Sequence, residues 1–187
     1  MHPKQLIAFL SAVEKLKCNT RHSWTSTGRQ ESVAEHCWRT AVMALLAADE
    51  FPGVDIEKVV KMCLIHDFGE AVTGDIPAFI KTKGDEEREN AAVSDLLGTL
   101  PMGTADGFAE LFEEMAGLAT PEARLFKALD QLEALISHNE APLDTLLERE
   151  YTENLTYGAE SAAYSPYLTE LREEINRQAI RKMEGGK

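Results

Sequence analysis

The stretch I-E-K-V-V-K-M-C-L-I-H-D, residues 56–67, carries the pattern that decides the fold of this chain. Apolar residues recur in it at a helical period, which predicts an amphipathic helix with one buried face. These residues are Ile56, Val59, Val60, Cys63 and Leu64. The next position on the same face is Asp67, and a buried carboxylate is costly unless it is paired or bound to a metal. The stretch therefore predicts both a core helix and a charged site at its end.

His66 directly precedes Asp67, so both side chains could reach one divalent cation. His36 and Asp130, from separate helices, could complete the site. Imidazole and carboxylate together suit Mn²⁺, Co²⁺, Mg²⁺, Fe²⁺, Ni²⁺ or Zn²⁺, and such a metal most often serves hydrolysis. Each residue alone has a simpler interpretation: a helix-surface histidine, a buried salt bridge, or, for Asp130, a pair with Lys127. As a set, the four are predicted to bind metal.

Length and composition bound the class of protein. The chain has 187 residues, of which 44% are hydrophobic, and we expect one domain over 1–187, with a motif-bearing core at about 17–139 and C-terminal helices at about 142–184. The net charge of −13 argues against binding to nucleic-acid polymers or anionic membranes. A metal and a local arginine could still hold a small anion.

The chain shows no pattern of a targeted or disulfide-bonded protein. No apolar run approaches the roughly 20 residues of a membrane span, and the N-terminus lacks the layout of a signal peptide. Cys18, Cys37 and Cys63 are odd in number and have no CxxC spacing, so we expect reduced, packed side chains. A cytoplasmic location is therefore expected.

Helical periodicity dominates, no convincing strand pattern is present, and an all-α fold is predicted. The predicted helices span about 3–16, 32–50, 55–70, 85–98, 104–117, 121–139, 142–155 and 164–184. Ser32 and Glu35 have the spacing of a capping box, Asp55 can cap the third helix, and Pro121 suits a first helical position. The final Gly-Gly-Lys, residues 185–187, is expected to be frayed.

Two polar connections flank the proposed ligands in sequence. Residues 17–31 (KCNTRHSWTSTGRQE) precede the helix of His36, and residues 71–84 (AVTGDIPAFIKTKG) follow His66 and Asp67. Loops on a rigid scaffold often carry substrate contacts. We therefore expect the substrate to contact one or both connections.

Three motifs carry a resemblance to a known family. They are E-S-V-A-E-H-C-W-R (31–39), H-D-F-G-E-A-V-T-G-D-I-P (66–77) and K-A-L-D-Q-L-E-A (127–134). With Arg21-x-x-Trp24 ahead of them, they resemble the branch of the HD-domain superfamily of metal-dependent phosphohydrolases that contains the bacterial 5′-deoxynucleotidases and their eukaryotic relatives. The similarity runs from about residue 5 to 158. It implies a compact helical bundle, commonly a homodimer, that hydrolyses the 5′-phosphate of deoxyribonucleoside monophosphates.

The histidines predict the number of metals. The chain has five, and none lies between Asp67 and Asp130. Dinuclear HD enzymes, including cyclic-dinucleotide phosphodiesterases and diiron oxygenases, typically draw further histidines from that interval. We therefore expect a single divalent metal and neither of those chemistries. His138, beyond the Asp130 helix, is interpreted as a helix C-terminal histidine rather than as a ligand.

Two acids follow the ligand pair. Glu70, one turn beyond His66, is the candidate to orient and deprotonate the attacking water. Asp75 would contact the sugar or protonate the leaving 5′-oxygen, and the sequence does not choose between these roles. The simpler interpretations are a helix-end surface residue for Glu70 and a turn residue for Asp75.

Arg21 and Trp24 are the candidate substrate contacts. A guanidinium suits a phosphate, and Trp24 could pack on the sugar or base. Arg21 could equally be a surface charge, and Trp24 a core or dimer-contact aromatic. In the best-described bacterial relatives the arginine and tryptophan are adjacent, whereas here two residues separate them. Lys127 could steer phosphate or pair with acids.

The favoured function is a mononuclear metal phosphomonoesterase acting on nucleoside 5′-monophosphates. One alternative is an HD phosphohydrolase for another small phosphorylated metabolite. The other is a catalytically silent HD scaffold that binds a nucleotide or a partner. The intact ligand set and both acids count against the silent scaffold.

Overall fold

The computed structural model describes residues 1–185, and nearly all its regular elements are helices. The helices are α1 (Pro3–Val13), α2 (Val33–Leu46), α3 (Ile56–Ile65), α4 (Glu70–Thr73), α5 (Lys83–Leu97), α6 (Met102–Gly117), α7 (Pro121–Glu140), α8 (Glu150–Glu153), α9 (Ala159–Ala162) and α10 (Pro166–Gly185). The strands β1 (Thr20–Trp24) and β2 (Gln30–Ser32) pair antiparallel. The predicted all-α class is confirmed. Of the expected frayed end, Gly185 closes α10, and residues 186–187 lie outside the described residues.

The predicted helix starts are confirmed where a capping residue marked them. Ser32 accepts from the backbone N–H of Glu35, whose side chain accepts in return from the backbone N–H of Ser32. Asp55 caps α3 by accepting from the N–H of Lys58. Pro121 occupies the first turn of α7. Capping depends on local chemistry alone, which is why the sequence is sufficient to place it.

The expectation of no strand was wrong at β1 and β2. They pair with Thr20 opposite Ser32 and with Trp24 opposite Gln30. The burial of β1 does not alternate along the strand, so it lacks the period-2 pattern by which strands are recognised in a sequence. The hairpin is held by backbone pairing, including a bond from the N–H of Val33 to the carbonyl of Asn19 at 3.0 Å.

The predicted helix 55–70 is interrupted. Helix α3 ends at Ile65, and residues 66–69 turn before α4 begins. Gly69 lies in this turn, where a Cβ would lie 2.5 Å from the Cγ of Glu89 and 2.8 Å from its carbonyl oxygen. The turn therefore lies directly against α5, and only glycine fits it.

The predicted helix 142–155 was largely wrong. It contains a 3₁₀ turn at 143–145 and the short helix α8. Pro142 explains where α7 ends, since it forces the preceding residue out of the helical region, and Ala141 is extended (φ −62°, ψ 154°). Apart from these two short pieces, the segment from 142 to 155 is irregular.

Helices α2, α3 and α7 pack together to form the centre of the fold. The largest fully buried apolar side chains are Met62, Leu125, Leu129, Leu132 and Leu168. Cys37 and Cys63 are buried free thiols as expected, whereas Cys18 is free but exposed. Within residues 1–185, no helix is both long and apolar enough to cross a membrane.

Candidate metal centre and substrate cavity

The structure brings the four predicted metal ligands together. His36 comes from the first turns of α2, His66 and Asp67 from the turn that directly follows α3, and Asp130 from the middle of α7. His36 Nε2 lies 3.0 Å from Asp130 Oδ1, and His66 Nε2 lies 3.2 Å from Asp67 Oδ2 and 3.5 Å from Asp130 Oδ1. Three long elements of the core thus present two imidazoles and two carboxylates to one point.

Hydrogen bonds fix the orientation of both imidazoles. His66 Nδ1 donates to the carbonyl of Cys63 at 2.9 Å, so its Nε2 faces the other ligands. His36 Nδ1 donates to the carboxylate of Glu133, so its Nε2 does the same. In each ring the outward nitrogen is occupied, which leaves the inward one as the possible ligand.

The donor set fits a divalent cation. Buried His66 Nε2 has no hydrogen-bond partner within the described chain, and the groups around it are carboxylate oxygens. One ligand atom from each of His36, His66 and Asp67 lies within 4.8 Å of the others. Burial raises the pKa of Asp67, but the positive charge of a protonated His66 outweighs it and lowers the pKa to about 2. A divalent cation in place of that proton would meet imidazole nitrogens and ionised carboxylates, the ligands that transition metals and Mg²⁺ accept.

Lys127 forms a salt bridge with Asp130, one of the proposed metal ligands. Its Nζ lies 2.9 Å from Asp130 Oδ2, while the other oxygen faces His36. The lysine also lines the hollow that contains the ligands. The structure thus contains the pair that the sequence offered as one of two alternatives.

Glu70 is buried beside the ligands. Its Oε2 is enclosed with no hydrogen-bond partner among residues 1–185. Burial, then repulsion by Asp67 and Asp75, raises the pKa of Glu70 to about 9. Asp67, Glu70 and Glu89 also form a second group whose oxygens lie within 4.8 Å of one another. Glu70 is therefore an inward-facing acid rather than a helix-end surface residue.

Arg21 and Asp75 lie next to the ligand cluster. Arg21 Nη1 is 3.2 Å from Glu31 and 3.5 Å from Glu133, and its Nε is 4.0 Å from Asp75 Oδ1. Burial raises the pKa of Asp75, Arg21 opposes that shift, and Asp67 adds to it. Both side chains are mostly enclosed, so Arg21 is not a surface charge.

Trp24 does not reach the ligands. It is half-buried on β1, and its ring packs edge-on against His22 with the centroids 5.0 Å apart. It lines neither of the two hollows around Arg21. The structure brings the other seven predicted site residues together and leaves this one behind His22.

Two hollows meet at Arg21 and Asp75. The larger, about 610 Å³, contains the four ligands and Glu70. The smaller, about 290 Å³, is mainly apolar and extends toward α8. The residues that line both are Arg21, Asp75, Ala78 and Tyr157. The smaller cavity is further lined by His22, Pro77, Phe79, Ala134, Leu135, His138, Glu150, Glu153 and Asn154.

His138 lies in the wall of the smaller cavity rather than among the ligands. Its Nδ1 accepts from the Asn154 amide at 3.0 Å, and its Nε2 donates to the carbonyl of His22 at 3.3 Å. Burial lowers its pKa even though Glu150 opposes that shift. It occupies the last turn of α7 as predicted, and its burial favours the neutral imidazole.

The sequence interpretation missed two groups of residues. Glu31, Arg39 and Glu133 lie in the quoted motifs and form a buried charged network behind His36. Arg39 and Glu133 lie one helical turn beyond His36 and Asp130, which was the available signal, whereas Glu31 lies on β2. Phe79 and Asn154 line the smaller cavity, and no periodicity or motif marked them.

The chain is similar to known proteins over most of its length. The family model described as HD domain matches residues 13–172. The 5′-deoxynucleotidase HDDC2 of Bos taurus is 34% identical over 141 residues, covering 73% of this chain and 68% of the relative. The protein of the same name from Danio rerio is 34% identical over 139 residues, covering 72% and 68%.

A solved structure gives the same result. The predicted metal-dependent phosphohydrolase from Magnetospirillum magnetotacticum superposes with a TM-score of 0.79 at 29% identity, covering 96% of this chain and 93% of that one. The chain therefore belongs to the HD domain family.

Proposed function

We propose that this chain releases phosphate from (deoxy)ribonucleoside 5′-monophosphates. The broader class predicted from the sequence, a metal-dependent phosphohydrolase acting on nucleotides, is confirmed by the family and by the 5′-deoxynucleotidase relatives. One observation carries the finer proposal: Arg21 and Asp75 line both the ligand-bearing hollow and an adjacent, mainly apolar cavity of about 290 Å³. A phosphate beside the ligands would then place its sugar and base toward the adjacent cavity.

His36, His66, Asp67 and Asp130 would hold one divalent cation, of which Mn²⁺, Co²⁺, Mg²⁺, Fe²⁺, Ni²⁺ and Zn²⁺ are the candidates. When bound, such a cation polarises a phosphoryl oxygen and lowers the pKa of a coordinated water. The two aspartates balance its charge.

Glu70 is the group proposed to accept the proton of the attacking water. Within residues 1–185 its Oε2 has no hydrogen-bond partner, and the residue lines the same hollow as the ligands. The positive charge of a bound cation would favour the ionised carboxylate, which could then take the proton. The Asn19 amide donates to the backbone carbonyl of Glu70 at 2.5 Å, which holds the residue in place.

Arg21 and Asp75 divide the substrate between them. Arg21 would neutralise the phosphate, since its guanidinium lies beside the ligands and can form two parallel hydrogen bonds. Asp75 borders both hollows, which suits a contact to the sugar or a proton transfer to the 5′-oxygen that joins sugar and phosphate. Trp24 packs against His22 and lines neither hollow. It would therefore affect the sugar only by holding His22 in place.

We also infer that residues 1–187 form one domain and that the chain acts as a homodimer. Large apolar side chains are exposed on α1 and α2; they are Leu6, Ile7, Leu10, Trp38, Leu45 and Leu46. Exposed apolar surface is typical of interfaces between chains. Light scattering of the purified protein tests the homodimer, and a monomeric mass at all concentrations would contradict it.

The deciding experiment is phosphate release from a panel of ribo- and deoxyribonucleoside 5′-monophosphates with Mn²⁺, Co²⁺ or Mg²⁺. We expect release by the wild type and its loss in Glu70→Gln, which keeps the size of the side chain but removes the base. No release from any nucleotide, with metal demonstrably bound, would overturn the proposal. Equal turnover of ribo- and deoxy-substrates would remove only the sugar preference.

The number of metals is tested separately by elemental analysis of the loaded protein. One equivalent per chain is expected from the single set of two histidines and two aspartates. Two equivalents would assign a further ion to Asp67, Glu70 and Glu89, the second group of converging carboxylates.

A further inference from the structure

Glu133 is a fully buried carboxylate one turn beyond Asp130 on α7, with 0% exposure. Its oxygens accept from four different side chains. Oε1 accepts from Arg39 Nε at 2.6 Å and from Ser137 Oγ at 3.0 Å. Oε2 accepts from His36 Nδ1 and from Arg21 Nη1 at 3.5 Å. One oxygen therefore faces the proposed site, and the other faces away from it.

A charge this deep in a protein persists only where it is paired. Burial raises the pKa of Glu133, but the contacts with His36, Arg21 and Arg39 outweigh it and lower the pKa to about 2. The guanidinium of Arg21 also has a second buried carboxylate beside it, Glu31, which accepts a hydrogen bond from Arg21 Nη1 at 3.2 Å. A core helix needs none of these charges for its packing, which points to a role in the site.

The contact to His36 has a chemical consequence. A carboxylate that accepts from Nδ1 keeps the proton on that nitrogen, so Nε2 retains its lone pair. That Nε2 lies 3.0 Å from Asp130 Oδ1, among the proposed ligands. The same carboxylate oxygen also meets Arg21, the residue proposed to bind the phosphate.

We propose that Glu133 is a positioning residue whose Oε2 aligns a metal-binding imidazole and the phosphate-binding guanidinium at once. Its Oε1, held by Arg39 and Ser137, anchors that carboxylate in the core. The Arg21 half of this inference rests on the proposed function. The His36 half depends only on metal binding.

The first test is Glu133→Gln, read by titration of the metal-free protein with Co²⁺ and by the absorption spectrum of the bound ion. We expect metal affinity to fall about 10- to 100-fold. The matched control is Glu140→Gln, which removes the exposed partner of Arg39 and leaves His36 untouched. An unchanged Co²⁺ affinity and spectrum in a folded Glu133→Gln protein would overturn the positioning role.

A second measurement needs no variant and stands if Glu133→Gln fails to fold. Nitrogen NMR of the wild-type histidines in the Zn²⁺-loaded protein reports which nitrogen of His36 carries the proton. We expect the proton on Nδ1 and the metal on Nε2. A proton on Nε2 would contradict the proposal directly.

A third variant separates the effect on Arg21 from the effect on His36. Glu31→Gln removes a partner of Arg21 but does not touch His36. We expect weaker binding of inorganic phosphate to the metal-loaded protein by calorimetry, with Co²⁺ affinity unchanged, and a larger phosphate defect in Glu133→Gln. Unaltered phosphate binding in Glu133→Gln would overturn the inference that Glu133 aligns Arg21. These readouts require no turnover, so failure to hydrolyse nucleotides would remain a separate result.

Discussion

The two sides of the candidate site are built differently. The metal side rests on α2, α3 and α7, the helices that form the centre of the core, and His36 on it is almost fully buried. The nucleoside side is lined by irregular chain at 75–79 and by the short helix α8 and its end, which lie against one face of α7 and against β1. Phe79 on that side is 38% exposed and lies over the guanidinium of Arg149.

This difference assigns different tasks to the two sides. Metal ligands must be held within tenths of an ångström, and long packed helices provide that rigidity. Loops and single turns can change without loss of the core, which makes them suitable for setting substrate preference. Substitutions on the metal side should therefore abolish chemistry, whereas those on the nucleoside side should alter KM.

The largest effect is expected from Asp67→Ala. Loss of a ligand at the end of α3 should remove the bound metal and lower phosphate release on the order of 1,000-fold. Elemental analysis and a phosphate assay measure the two quantities. Asp95→Ala, at an exposed position on α5, is the control and should retain both. Unchanged metal content in Asp67→Ala would refute the ligand assignment.

Arg21→Lys tests the junction of the two sides. Lysine keeps the charge but loses the planar fork, so KM for a nucleoside monophosphate should rise about tenfold while metal content stays constant. Steady-state kinetics provides the measurement. Arg29→Lys changes an exposed arginine of the same hairpin, paired with Glu35, and should behave as wild type. An unaltered KM in Arg21→Lys would remove Arg21 from the phosphate site.

Phe79→Ala tests the nucleoside side alone. Removing an aromatic wall of the smaller cavity should raise KM roughly 2- to 13-fold, the equivalent of about 0.5–1.5 kcal/mol, with kcat nearly constant. Ile80→Ala, at the next position and outside that cavity, is the matched control. A fall in kcat without a change in KM would show that the two sides are not separable.

The smallest effect is expected from pH acting on His138. Its folded pKa is lowered by burial, so the unfolded chain takes up the proton first, near pH 6.5. The stability contributed by the neutral imidazole is complete above pH 6.5 and is lost as the pH falls below it. Protonation of Nδ1 would also break the bond from Asn154.

Melting temperatures at pH 7.5 and 5.5 measure this effect. We expect the wild type to lose more stability between these values than His138→Asn, which has no titrating group at this position. An equal loss in both proteins would place the pH sensitivity elsewhere.

The metal side could be predicted from sequence because its signals are local. Asp67 interrupts an apolar stripe, and Asp130 interrupts another on α7. A charged residue on a buried face is informative wherever the helix continues. Ser32, Asp55 and Pro121 placed the starts of the same helices by capping chemistry.

The nucleoside side could not be predicted in the same way. Phe79 and Asn154 are 75 positions apart and meet only because irregular chain folds back over β1. No period relates them, and Trp24, which a motif did mark, lies behind His22 instead. The β hairpin was missed for a similar reason, since its pairing depends on contacts between segments rather than on a pattern within either.

The close approach at Gly69 links two positions that are distant in sequence. Because a Cβ at 69 would meet the backbone carbonyl of Glu89 as well as its side chain, a smaller residue at 89 would not make room, and a larger residue at 69 would require α5 to move. We expect relatives to retain glycine at 69 whatever residue they have at 89. For enzyme design, the spacing between α5 and the turn that precedes the proposed base is therefore set by one glycine.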